Sequence, residues 1–112
     1  MNYLKNIDGK KVLSLAKEID ILPGQVVSKT LVQNDAVSLT LFGFDKGEEI
    51  STHESCGDAM VTVLEGTGKF TVSGEEFLVN AGETLIMPAK EPHAVFGQEQ
   101  FKMLLTVIFP GK

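Results

Sequence analysis

The chain carries a single cysteine, Cys56, among its 112 residues, so no internal disulfide can form. A reducing, cytoplasmic setting is therefore expected. Clustered positive charge is also missing. Lysine and arginine together number 10 against 15 acidic residues, giving a net charge of −5 and an isoelectric point near 4.9. Phosphate binding needs grouped cations, so this balance argues against a nucleic-acid partner. No apolar run reaches the roughly 18 residues of a membrane helix, and no membrane association is expected. Nor does the N-terminus supply the apolar core of a signal peptide. Its longest apolar stretch, Val12 to Ala16, is interrupted by Ser14 and flanked by Lys11 and Lys17.

What is present has an ordinary globular balance, and the length suits one domain. Such a domain can bury a core but is small enough to gain from oligomerisation. The segment "DGKKVLSLAKEI" sets Val12, Leu13, Leu15, Ala16 and Ile19 at helical spacing, with Asp8 upstream as a cap. It predicts one short N-terminal helix, too short to be stable unless packed on something. Leu22-Pro23-Gly24 then breaks the chain, so residues 1–24 form the helix and lead-in and residues 25–112 the body of the domain. After the break come short strand-like runs: "QVVSKTLV", "AVSLTLFGF", "EEIST", "MVTVLE", "GKFTV", "EFLV", "TLIM", "HAVF" and "FKMLLTVIF". Turn residues such as Asn34-Asp35, Gly66-Thr67-Gly68, Ser73-Gly74 and Asn80-Ala81-Gly82 separate them. Many short strands with glycine-rich turns predict an all-β sandwich or barrel. No helical crossover lies between the strands, so the pairing should be antiparallel.

Two stretches carry a specific spacing. In "GEEISTHESCGDAMVTVLEG" five residues separate Gly47 from His53, and Gly66 closes the segment. In "GETLIMPAKEPHAVFG" five residues separate Gly82 from Pro88, and His93 follows five residues later. Together these stretches resemble the two signature motifs of the cupin family, over residues 47–97, and the flanking strands fit the same barrel. The resemblance implies an antiparallel double-stranded β-helix, or jelly roll. In the family such a barrel usually holds a divalent metal through three histidines and one glutamate. Matched by position, His53 is the first histidine and His93 the last. Ser55 occupies the second histidine position and Ala59 the glutamate position. Lys90 stands where the second motif has glycine, and Gly97 where it has asparagine.

His53 and His93 are thus the candidate metal ligands, short of the three or more that a stable transition-metal site generally needs. Glu54, Cys56, Asp58 or a residue of a partner chain are the conceivable substitutes. For Cys56 the preferred reading is an unpaired loop thiol, since a nucleophile needs a neighbouring base and a lowered pKa. The expected cofactor is a weakly held divalent metal or none.

Losing a histidine and a glutamate from the wall should leave a roomier, less polar cavity. Ligand-binding candidates are His53, Ser55, Ala59, Met87, His93 and Met103, with Val61, Val63, Phe96, Leu105 and Phe42 or Phe44 around them. Two imidazoles in an apolar setting suit a small aromatic or carboxylic ligand, hydrogen-bonded as enol or carboxylate. The last strand, "FKMLLTVIF", is apolar on both faces, so either the N-terminal helix or a second subunit should cover it. A homodimer is the expected assembly. Three functional classes follow: a metal-dependent enzyme (dioxygenase, isomerase or decarboxylase), a metal-free small-molecule binder, and a solid structural barrel. The ligand count disfavours the first and the facing histidines disfavour the third, so small-molecule binding is the expectation.

Overall fold

The computed structural model describes residues 3–111. Nine strands occur among them: β1 (Val26–Gln33), β2 (Val37–Phe44), β3 (Glu49–His53), β4 (Asp58–Glu65), β5 (Thr67–Val72), β6 (Glu75–Asn80), β7 (Thr84–Met87), β8 (His93–Gly97) and β9 (Phe101–Ile108). Each coincides with one of the nine runs read from the sequence, with ends shifted by no more than two residues. A five-stranded sheet in the order β1-β2-β9-β4-β7 faces a four-stranded sheet in the order β3-β8-β5-β6. All the pairings are antiparallel. This is the expected all-β jelly roll.

The two-residue period of the side chains builds the core. On β4, Ala59, Val61 and Val63 are buried while Met60, Thr62 and Leu64 face outward. The inward rows of both sheets meet in one cluster that includes Phe44, Val61, Val63, Phe70, Met87, Phe101 and Met103. Three aromatics close one end of it. Phe101 stacks on Phe44 with ring centroids 4.6 Å apart and meets the edge of Phe70 at 6.0 Å. Along β8 and β5 the opposite end of the inward rows is marked by His93, directly across from Val72.

The N-terminal segment differs from the sequence reading. The only helical turn among the described residues is a 3-10 turn over Leu15–Glu18, not a helix beginning near Asp8. Asn6 and Lys10 take positive φ, Ser14 is extended, and Val12 is fully exposed. Asp8 pairs with Lys11 at the surface instead of capping a helix. A segment this short cannot sustain a helix on its own hydrogen bonds, so tertiary partners decide its path. Two lysines of the sheet supply those partners. Lys102 Nζ donates to the Ala16 carbonyl at 2.6 Å, and Lys29 Nζ donates to the Glu18 carbonyl at 3.1 Å.

Docked this way, the segment covers part of the outer face of the five-stranded sheet. Ile19, Leu31 and Leu41 form a second buried cluster, joined by Leu15, Leu39, Leu64 and Leu104. Leu104 is one of the outward apolar residues of β9, so the lead-in segment covers one end of the face that the sequence left open. At the other end Ile108 of β9 remains 56% exposed, beside Met60 at 40% and Ile86 at 53%.

Candidate functional site

His53 ends β3 and His93 begins β8, and the two are direct cross-strand partners. A regular strand would not pair them. Ile50 lies opposite Val95, so an unbroken register would set Thr52 against His93 and turn His53 to the other face. The register shifts between Ile50 and His53, and the extra residue turns His53 onto the inward row. Bulges commonly re-aim a side chain beside a functional site. The rings meet edge to face, with centroids 4.3 Å apart and planes at 67°.

Both imidazoles are held in the same manner. His53 Nδ1 lies 2.9 Å from the Ser51 carbonyl, and His93 Nδ1 lies 3.2 Å from the Glu91 carbonyl. A carbonyl oxygen can only accept, so each Nδ1 carries the hydrogen and each neutral ring leaves Nε2 with a free lone pair. The surroundings differ. His93 is buried at 5% exposure, and that burial lowers its pKa, opposed in part by the Glu91 hydrogen bond, with a charge on His53 adding the smallest effect in the lowering direction. His53 is exposed.

The loop that follows His53 and the loop that precedes His93 are zipped together. Lys90 N–H donates to the Ser55 carbonyl at 2.8 Å, and Ala89 N–H donates to Asp58 Oδ1 at 2.8 Å. Ser55 Oγ accepts from Gly57 N–H at 3.1 Å. Lys90 adopts φ +68°, the left-handed region that favours the glycine usual at this motif position. Lys90→Gly should relieve that strain while keeping the backbone hydrogen bond. Part of the gain is offset by the freer unfolded chain, leaving a net stabilisation of about 0.5 kcal/mol, read as a higher thermal midpoint.

The remaining sequence candidates are partly dispersed. Ala59 and Met87 face each other in register, at 2% and 1% exposure, with Val107 on Ala59's other side. Met103 is buried too, but it pairs with Val63 and Phe42, four residues before Val107 on β9. At about 3.3 Å per residue, it lies about 13 Å from the Ala59 level, toward the aromatic end. Phe96 does not face the interior. It lies on the outer surface of the four-stranded sheet, where Lys69 Nζ sits 5.1 Å from its ring centroid. The alternation His93, Val95, Gly97 on β8 is the signal that identifies Phe96 as outward.

The roomy cavity expected around Val61, Val63, Met87 and Met103 is filled by these side chains themselves, each at most 1% exposed. Three surface clefts lie elsewhere. Two of them, about 260 and 210 Å³, adjoin Cys56, Phe109 and Pro110 at the surface. A third, about 150 Å³, lies over Lys69 and Phe96. The histidine pair, at the end of the barrel opposite the aromatic cluster, is the candidate site that the structure brings together.

The donor set can be tested against a metal. Among the described residues no three or more His, Cys, Asp or Glu side chains are grouped to hold one. Ala59 has no donor atom, Ser55 Oγ is engaged by Gly57, and Asp58 Oδ1 by Ala89. Cys56 is an exposed free thiol beside Phe109 and Pro110. Two imidazoles do not make the three-ligand set of a resident transition metal.

A family model described as a cupin domain matches residues 40–109. The fold is similar to that of a conserved protein of unknown function from Streptococcus pyogenes, at 46% identity and a TM-score of 0.97, covering 100% of this chain and 98% of that one. It is also similar to a cupin superfamily protein from Desulfitobacterium hafniense, at 34% identity and a TM-score of 0.91, covering 96% and 98% of the two chains. A cupin 2 conserved barrel domain protein from Leptotrichia buccalis is 43% identical, with a TM-score of 0.84, over 86% of this chain and 47% of that one. No curated protein matches the chain.

Proposed function

This chain belongs to the cupin family, and from that premise we propose that it binds a small organic molecule at the His53–His93 pair without a resident metal. The observation that carries the reading is the pairing itself. A bulge and two backbone carbonyls hold two imidazoles edge to face with both Nε2 atoms unused. A buried histidine kept only for packing needs no second imidazole and no bulge to present one.

The test is a thermal-shift screen of small aromatic, hydroxylated and carboxylic compounds, run on the wild type and His53→Ala. Binding raises the midpoint with ligand concentration, and a compound present at 100 times its Kd adds about 2.7 kcal/mol. Compounds that stabilise the wild type and lose that effect in His53→Ala support the reading. Equal shifts in both proteins place the ligand elsewhere and overturn it. Elemental analysis of tag-free protein purified without chelator reads the metal alternative, a divalent ion held by the two Nε2 atoms and solvent. Near-stoichiometric metal lost in His53→Ala replaces the metal-free reading.

The same proposal includes a homodimer. Met60 and Ile86 are cross-strand partners on the outer face of the five-stranded sheet, and Ile108 lies diagonally across from Met60. Large apolar side chains grouped in the open are typical of an interface, and a two-fold pairing lets the patch cover itself. Met60→Glu is expected to reduce the sedimenting species from dimer to monomer while leaving the circular dichroism unchanged. A wild type that sediments as a monomer overturns the dimer.

A further inference from the structure

We infer that the histidine pair selects a ligand that brings its own hydrogen-bond donors, a vicinal diol or catechol, and discriminates against carboxylates at neutral to mildly alkaline pH. The inference rests on the binding role proposed above and narrows its ligand class.

It follows from where the ring hydrogens are. In each histidine the Nδ1 hydrogen is committed to the carbonyl two residues upstream, Ser51 for His53 and Glu91 for His93. A neutral imidazole has one N–H, so neither ring has a second to offer. The pair therefore leaves one acceptor nitrogen on each of two rings whose centroids lie 4.3 Å apart. A carboxylate meeting them would set oxygen lone pairs against nitrogen lone pairs. It could gain a donor only if a ring were protonated, and the surroundings oppose that at His93. Val72 faces it from β5, and His53 from β3 disfavours a second positive charge. The carboxylate of Glu91 is turned to the Ser73 hydroxyl at 3.0 Å. Two adjacent hydroxyls satisfy both nitrogens at once, each O–H donating to one Nε2. A single hydroxyl serves only one of them. Apolar neighbours such as Val72 suit a ring or a short carbon chain behind the hydroxyls.

The experiment is imidazole ¹⁵N NMR on the full ¹⁵N-labelled chain at pH 8. The two histidines give four ring nitrogens, assigned with His53→Ala and His93→Ala. Before any ligand is added, both rings should show a protonated Nδ1 and a bare Nε2. An Nε2–H tautomer in either ring overturns the inference without reference to binding. Catechol, 1,2-dimethoxybenzene and benzoate are then titrated separately. Catechol should shift both Nε2 resonances in a saturable way, with a Kd at least about tenfold below that of either other compound. Tenfold is the effect of about one net hydrogen bond. Benzoate or dimethoxybenzene binding as tightly as catechol overturns donor selection and leaves small-molecule binding intact. If none of the three moves the ring nitrogens, and the broader thermal-shift screen is also silent, the binding role itself fails and this inference with it.

Discussion

Gly66→Ala is expected to destabilise the protein by about 3 kcal/mol or more, measured by urea or thermal unfolding. Two effects combine. Gly66 turns the chain from β4 into β5 at φ +73°, where an alanine costs about 1–2 kcal/mol. Its added Cβ would also collide with the Gln100 carbonyl oxygen, with the Gln100 carbonyl carbon at 2.9 Å and the Phe101 Cα at 3.0 Å. All three are backbone atoms and cannot rotate away. Relief requires moving the start of β9, which places Phe101 against Phe44 and Phe70. Displacing a packed core element typically costs a further 1–3 kcal/mol or so. Gly74→Ala is the control. It shares the conformation, at φ +84°, but an alanine Cβ there would have nothing within 4 Å, so only the first effect applies. Equal losses at the two positions would show that the Gln100 contact is relieved without cost.

That turn glycine also shows why so much of the fold could be read from the chain. Strands such as β4 alternate cleanly between a buried and an outward row, and the turns between them need residues that tolerate left-handed backbone. Both signals are local. The N-terminal helix misled because helical spacing of Leu15 and Ile19 is equally what a segment needs to lay a few apolar groups on a sheet, while Val12 stays in solvent. The decisive contacts came from Lys29 and Lys102, which are distant in sequence. The histidines were legible as motif positions, but not their partnership. A regular β3 would have turned His53 away from His93, and nothing between Ile50 and His53 announces the bulge. The shared ring orientation was equally hidden, since it depends on the carbonyl directions of Ser51 in β3 and Glu91 in the loop before β8. The apolar cavity was expected because Ser55 and Ala59 are smaller than the groups usual at those positions. Met87 and Val107 close in on Ala59 from both neighbouring strands, so small side chains there give a tighter wall.

The two histidines should separate sharply by substitution. His53→Ala is expected to leave stability within about 0.5 kcal/mol of the wild type, because the ring is exposed and its backbone acceptor returns to water. His93→Ala should cost about 2–3 kcal/mol, through a void among buried neighbours and an orphaned Glu91 carbonyl. Ligand binding should fall in both, by at least about tenfold for the lost hydrogen bond. The unequal stability with shared binding loss is what distinguishes a two-residue site from one packing residue and one bystander. Acid adds an independent reading. Burial holds the folded-state pKa of His93 below its ordinary value, so the unfolded chain binds more protons in that window. Stability therefore rises with pH there, and falls as the solution is acidified below the ordinary histidine value of about 6.5 toward the folded value. His93→Gln, which cannot titrate, should flatten the profile of unfolding free energy just below about pH 6.5. A profile left unchanged by His93→Gln would overturn the reading of His93 as a desolvated, titrating imidazole.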